Sequence, residues 1–416
     1  MSSNQKFVFV LGGPADLDHM MPVMWQCLEN ERDVLALVAS WYEVENDFRL
    51  NFLKTYDGFQ MKSVSQLNVQ TDIFHKLLRP LWNFYRMKRF LRRNKIMLCV
   101  FEWGDGVWSG QSKPDLITNI KHKCFSDFGL QIQYACTSLR IPTVSLPHGH
   151  STKMSLIRSA HIQDVLNANN QKLPFSNRNS FAKYVFASAY HRDVIVDNSD
   201  LSPVNVEVWG SARFSSEWTK LLYEISPPAN IPDRKPGQVH RVLFFIPKWH
   251  NLVDRGATLN LLFALASLPS IQLVIRGHIR GRDSQLTESE LSTLTSMNTV
   301  VVAEVGTPST SLISASDVLI DVDSSIAFDA LNLGKLYIRP RYLQPESLKT
   351  VFDVYGGALQ ADSQQEILDV LSSQILPSVI VDDQFKEVVI GDVRSNISLE
   401  YFRKLSSLAN SYLATT

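Results

Sequence analysis

The sequence predicts an α/β protein of two Rossmann-like domains whose parallel sheets face an interdomain cleft. Three observations predict it. Short apolar runs recur along the chain, several closed by glycine and followed by a helical pattern, which is how buried parallel strands and their crossover helices read. A proline-rich stretch without apolar periodicity interrupts the series past the middle. The chain has 416 residues, 45% of them apolar, which is enough for two separate cores.

The first run, Phe7 to Leu11, ends at Gly12-Gly13-Pro14 and leads into a helical pattern around Met20 to Leu28. Val34 to Ser40, Ile96 to Phe101, Thr143 to Leu146, Tyr184 to Ala187 and Val206 to Val208 continue the strands, with helical patterns at Phe74 to Leu91 and Phe128 to Leu139. Residues 226–239 read SPPANIPDRKPGQV, a linker composition. A second series follows: strands Val242 to Phe245, Gln272 to Ile275, Thr299 to Ala303, Val318 to Ile320 and Leu336 to Ile338, with helices Leu259 to Leu268 and Ser325 to Leu333. Ser363 and Glu366 form a capping-box pair at the head of another helix. Leu399, Phe402, Leu405, Ala409 and Tyr412 share one face of a terminal helix. The expected organisation is a first domain over 1–225, a linker over 226–240, a second domain over 241–390, and a helix in 391–416 packing back on the first domain. In open parallel sheets ligands bind beyond the carboxyl ends of the strands, where the strand order reverses, so the loops after strands are where chemistry is expected.

Composition removes several classes of function. Lys plus Arg equals Asp plus Glu at 41 each, so no nucleic-acid partner is expected. Cys27, Cys99, Cys124 and Cys136 form no CxxC pair and are expected as reduced, packed side chains. The apolar run near the N-terminus is too short for a signal sequence, and no run reaches the ~18 residues of a membrane span. A cytoplasmic protein is expected, with any membrane contact peripheral, on the inner face of the cell membrane. The glycine loop after the first strand lacks GxGxxG, and neither a cofactor nor a metal site is expected. Asp321-Val-Asp323 imitates a DxD metal motif, but its strand-turn-helix setting argues against one.

The segment Ser316 to Pro340, SDVLIDVDSSIAFDALNLGKLYIRP, is the richest. A strand runs into Asp323, Ser324 and Ser325 at the head of a helix. Hydroxyls and free N–H groups there suit a phosphate, and the same residues suit an ordinary helix cap. His148 follows the strand Thr143 to Leu146, and a histidine that titrates near neutrality suits a general base acting on a hydroxyl. His150 competes for that role and is also a candidate for the acceptor side. His278 follows Gln272 to Ile275 among Arg276, Arg280 and Arg282, a set able to neutralise a leaving phosphate. Lys248 points to the same place from the strand before it. Gly12, Gly13 and Asp16 in the first loop, and Glu102 at the end of Ile96 to Phe101, are candidates for the acceptor side.

The segment from Ser316 resembles the S-D-x-L-I-T-D-Y-S-S-x-x-F-D pattern of the CDP-glycerol glycerophosphotransferase-like, teichoic-acid polymerase-type enzymes. Asp317, Leu319, Ile320, Asp323, Ser324, Ser325, Phe328 and Asp329 match it, while Asp321 and Val322 depart from its Thr-Asp-Tyr order. Pro147 to Lys153 resembles the family's H-G-T-P-x-K loop through His148, Gly149 and Lys153. Ile246 to His250, Arg276 to His278 and Gly210 to Arg213 resemble three further motifs in the family's order. Bacterial capsule and Kdo transferases share the plan. The resemblance implies a GT-B-type transferase that moves a sugar or polyol phosphate from a cytidine (CDP or CMP) nucleotide donor to a hydroxyl of a cell-surface polysaccharide or lipid-linked acceptor. It implies donor binding by Arg276, Lys248, Asp323, Ser324 and Ser325, with His148 and His278 catalytic. Two other classes stay open: a nucleotide-sugar isomerase resembling the UDP-GlcNAc 2-epimerases, and a noncatalytic nucleotide-sugar-binding partner.

Arg86 to Lys95 forms the second half of a basic, aromatic helical segment. Such a helix can lie on an anionic membrane surface, or it can pack with its basic face solvated.

Overall fold

Strands form where the chain carries its continuous apolar runs, because a parallel strand buried on both faces needs no polar alternation. The computed structural model describes residues 5–39, 47–64, 79–107, 128–147, 152–154, 156, 160–277, 285–322, 324–391 and 396–415. The chain divides into two compact units. The first comprises residues 1–150, 172–221 and 391–416, and the second 151–171 and 222–390.

In the first unit β1 (Lys6–Leu11), β2 (Asp33–Val38), β3 (Phe59–Ser63), β4 (Ile96–Glu102), β5 (Thr143–Leu146), β6 (Lys183–Phe186) and β7 (Val206–Val208) pair in parallel. Among the described residues their order is β3-β2-β1-β4-β5-β6-β7. All six residues of β1 are buried, and Val8 stands opposite both Leu35 and Cys99. Helix α1 (Pro14–Glu29) begins with a proline, whose missing N–H costs nothing in a first turn. Helices α2 (Arg79–Arg93) and α3 (Phe128–Leu139) precede β4 and β5 and pack against each other. The terminal helix Ile397–Thr415 belongs to this unit. Leu405 and Ala409 are buried as the stripe requires, but Tyr401 takes the inner place and Tyr412 is exposed. Tyr401 Oη–H donates to the Gly210 carbonyl at 2.7 Å, and Gly210, at φ 86°, leaves room for Ile397.

In the second unit β8 (His240–Phe245), β9 (Ile271–Arg276), β10 (Val300–Val302), β11 (Val318–Ile320), β12 (Leu336–Pro340) and β13 (Leu359–Ala361) lie in the order β10-β9-β8-β11-β12-β13 among the described residues. Helix α4 (Ile326–Asn332) links β11 to β12, and α5 (Gln364–Ser372) follows β13. Ser363 Oγ accepts the Glu366 N–H at 3.3 Å, but Glu366 returns to the N–H of Asp362 at 2.8 Å. The capping box is therefore closed one residue early.

Two boundaries differ from the expected ones. The proline-rich stretch is a strap on the second unit. Its free carbonyls accept side-chain donors, Ser311 Oγ to Pro227 O at 2.6 Å and Gln272 Nε2 to Pro232 O at 3.0 Å, and Arg234 pairs with Asp317 at 2.9 Å. Residues 151–171, expected in the first domain, also belong to the second unit. The N–H of Val351 donates to Thr152 O at 2.7 Å, and that of Met154 to Lys349 O at 3.0 Å. Lys153, between them, is 4% exposed.

Candidate functional site

Each sheet reverses its order at its first strand. β1 lies between β2 and β4, and β8 lies between β9 and β11. Successive crossovers leave those strands in opposite directions, which opens a crevice at their carboxyl ends. Most of the described candidates stand at these two places.

In the second unit, Arg276 is the last residue of β9. It is 5% exposed, Nη1 donates to Glu304 O at 2.9 Å, and Nε is buried without a hydrogen-bond partner among the described residues. Burial pushes its pKa down from the usual arginine range, because the charged form loses solvation. Lys248 follows β8 and is half-buried. After β11, the buried Asp321 accepts the N–H of Ser324 through Oδ2 at 2.7 Å, while its carbonyl accepts Tyr337 Oη–H at 3.1 Å. Ser324 Oγ accepts the N–H of Ile326 at 3.3 Å.

The motif therefore divides by role. Asp317 accepts the Arg241 N–H at 2.8 Å and holds the start of the strand. Phe328 sits in an aromatic cluster with Phe352 and Phe385 at 5.9 and 6.2 Å between ring centroids. Asp321 shapes the turn. The amides of Ser324 and Ile326, expected to be free for a phosphate, are taken by side chains. His148, His150, His278 and Asp323 lie outside the described residues.

In the first unit, Gly12 and Gly13 follow β1, and both amides donate to Asp16 Oδ2, at 2.5 and 3.2 Å. Glu102 ends the adjacent β4 and is half-buried. Three of the acceptor-side residues thus form one turn, and Glu102 stands on the next strand. Asp18, one turn into α1, pairs with Arg49 at 2.6 Å and with Arg213 at 3.3 Å. Arg213 thereby ties the Gly210–Arg213 motif to α1.

One cluster escaped the sequence reading. Trp103 holds φ at 43°, a left-handed conformation that bulky residues rarely adopt. The Arg178 guanidinium lies 4.7 Å from its ring centroid and 3.6 Å from that of Phe175, and donates to Tyr184 Oη at 2.6 Å and Asp105 at 3.2 Å. No local signal joins Trp103 to an arginine so distant in sequence. They meet because Trp103 follows β4 and Arg178 precedes β6, and the two strands flank β5 in the sheet.

No protein-family profile and no curated protein matches the sequence. Solved structures match it in fold. The UDP-GlcNAc 2-epimerase of Methanocaldococcus jannaschii superposes with a TM-score of 0.58 at 9% identity, covering 97% of this chain and 100% of that one. The UDP-GlcNAc 2-epimerase of Neisseria meningitidis, bound to UDP-GlcNAc, gives 0.52 at 13% identity, covering 99% and 100%. A glycosyltransferase of Rickettsia africae gives 0.50 at 11% identity over the whole of both chains. The fold is GT-B-like: two parallel-sheet Rossmann-like units.

Proposed function

We propose that the protein is a transferase of this fold that uses a nucleotide-linked donor, and that the donor is a cytidine nucleotide carrying a sugar or polyol phosphate. The acceptor is a hydroxyl of a cell-surface polysaccharide or lipid-linked glycan. The observation that carries the reading is Arg276 on the strand next to β8, a buried cation whose Nε has no partner among the described residues. A phosphate oxygen supplies the acceptor that Nε lacks, and a charge-assisted bond in so dry a place is among the stronger ones. Ser324 and Ser325 lie beyond β11 on the other side of β8, and in the resembling family those serines belong to the donor site. His278 would act on the leaving phosphate and His148 on the acceptor hydroxyl.

A second reading is an isomerase of a nucleotide sugar, the activity named for two of the matched structures. It is favoured by fold alone and needs no acceptor. Thermal-shift measurements with CDP-, CMP-, UDP- and GDP-linked ligands separate the readings, since a ligand at 100 times its Kd adds about 2.7 kcal/mol of stability. Stabilisation by cytidine ligands, with no change in the sugar until an acceptor is added, is the expected result. A UDP-sugar converted alone would establish the isomerase, and no response to any nucleotide would sink both.

A further inference from the structure

We propose that α2 and the end of α3 form a docking surface for an anionic phospholipid bilayer. Residues 79–95 and 128–142 hold eight of the chain's 41 basic residues and none of its 41 acidic ones. In a chain of zero net charge that is a strong local excess. Five of the eight, Arg89, Arg92, Arg93, Lys95 and Arg140, are exposed. Met87 and Leu91 are buried on one face of α2, while Tyr85, Arg89 and Arg92, spaced at i, i+4 and i+7, are exposed on the opposite one. Arg93 is exposed beside them. Lys95 ends the turn after α2 and Arg140 the turn after α3, both left-handed at φ 51° and 58°, so the two cations precede the adjacent strands β4 and β5. Among the described residues no carboxylate pairs with Arg89, Arg92, Arg93, Lys95 or Arg140. A cavity of about 370 Å³ opens between them, with Arg92, Lys95, Arg140 and Ser138 beside apolar Leu91 and Ile141.

The occupant follows from this chemistry. Cations around a cavity that also has apolar lining match a phosphate headgroup above its glycerol and acyl carbons. Tyr85, 58% exposed on the cationic face, is the amphipathic ring that settles at the bilayer interface. A nucleic acid fits less well, because such binders carry a net basic charge and the rest of this chain supplies equal acid. A planar bilayer meets one face, and charges farther than about 10 Å are screened.

The test is flotation of the full chain with vesicles of phosphatidylcholine alone and with about 30 mol% phosphatidylglycerol, where each basic residue near the surface adds roughly fivefold to partitioning. Binding only to the anionic vesicles, weakened by salt, is expected. R89E/R92E/R93E should lower it by about 100-fold or more, and R140E alone by about fivefold or more. R89Q/R92Q/R93Q guards against misfolding and should show a smaller loss at an unchanged melting temperature. Tyr85→Ser should weaken binding with charge constant. Equal binding to both vesicle types, binding to neither, or binding unaffected by the substitutions overturns the proposal. So does selective capture of RNA without vesicle binding.

Discussion

At the carboxyl end of β1 an acid closes the turn, and at the carboxyl end of β9 stands a buried arginine whose Nε has no partner among the described residues. The first unit closes its turn with its own carboxylate. The two glycine amides at the head of the 16-residue α1, where the macrodipole favours negative charge, are held by Asp16. In the second unit Lys248 follows β8, the counterpart of β1, and Arg276 ends the neighbouring β9. The two reversal points thus differ: a carboxylate holds the turn amides at the first, while cations stand beside the buried Asp321 at the second. This contrast is why we propose that the phosphates of a donor bind the second unit and the acceptor hydroxyl the first.

The largest effect that would sharpen this division concerns His148. A general base contributes about 10²- to 10⁴-fold, and its loss appears in turnover. His148→Ala should therefore abolish most transfer while donor-induced stabilisation stays as in the wild type. His150→Ala should be much milder. If His150→Ala proves the dead variant, the loop motif is offset by two positions. If both are active, the base lies elsewhere.

Arg276→Met addresses the other half. Hydrogen bonds to charged groups are worth about 1.5–3 kcal/mol, so donor affinity should fall about 10- to 100-fold. The free protein should melt at the same temperature or higher, because a buried guanidinium with an unsatisfied nitrogen gives way to an apolar chain of similar length. Opposite signs for binding and stability mark a ligand site. A lower melting temperature with unchanged nucleotide affinity would show that Arg276 serves only to hold Glu304.

Much of this fold was legible in the sequence. Thr143 to Leu146, Val206 to Val208 and Val318 to Ile320 were read to the residue, and the other expected strands to within two at either end. The strands missed were β3 and β13, at the outer edges of the two sheets. β3 has one buried residue in five, so no continuous run or alternation marked it, and β13 is three residues long. The strap at 226–239 deceived because prolines without periodicity look the same whether their carbonyls face water or a neighbour's side chains. At the site, residue types and strand ends were readable, but partners were not. Nothing local in the sequence says that Asp16 turns back onto Gly12, or that Asp321 consumes the Ser324 amide.

Asp16→Ala would break the comparison directly. It removes the acceptor of two amides, and the loss should cost about 1–2 kcal/mol, in the range of other helix-cap deletions. The variant should then behave like an anion site: inorganic phosphate should restore part of the lost stability and do little for the wild type. Asp16→Asn keeps an acceptor oxygen and should fall between the two. Equal stabilisation of wild type and Asp16→Ala by phosphate would mean that Asp16 does not occupy an anion site.

The smallest effect belongs to the serines after β11. Ser324 Oγ takes the Ile326 N–H at 3.3 Å, a long bond, whereas the buried Asp321 holds the Ser324 N–H at 2.7 Å. Asp321→Ala should therefore cost about 1–3 kcal/mol of stability, through an amide left without its acceptor. Ser324→Ala should cost only a few tenths, and the paired change at Ser325 little more. If the hydroxyls also meet the donor, Ser324→Ala with Ser325→Ala should weaken nucleotide binding about 3- to 10-fold, the size of neutral hydrogen bonds. The loss must appear in the ligand-induced shift and not in the melting temperature of the free protein. Unchanged nucleotide affinity in the double variant would make the serines helix caps and leave the donor phosphates to Arg276 and its neighbours.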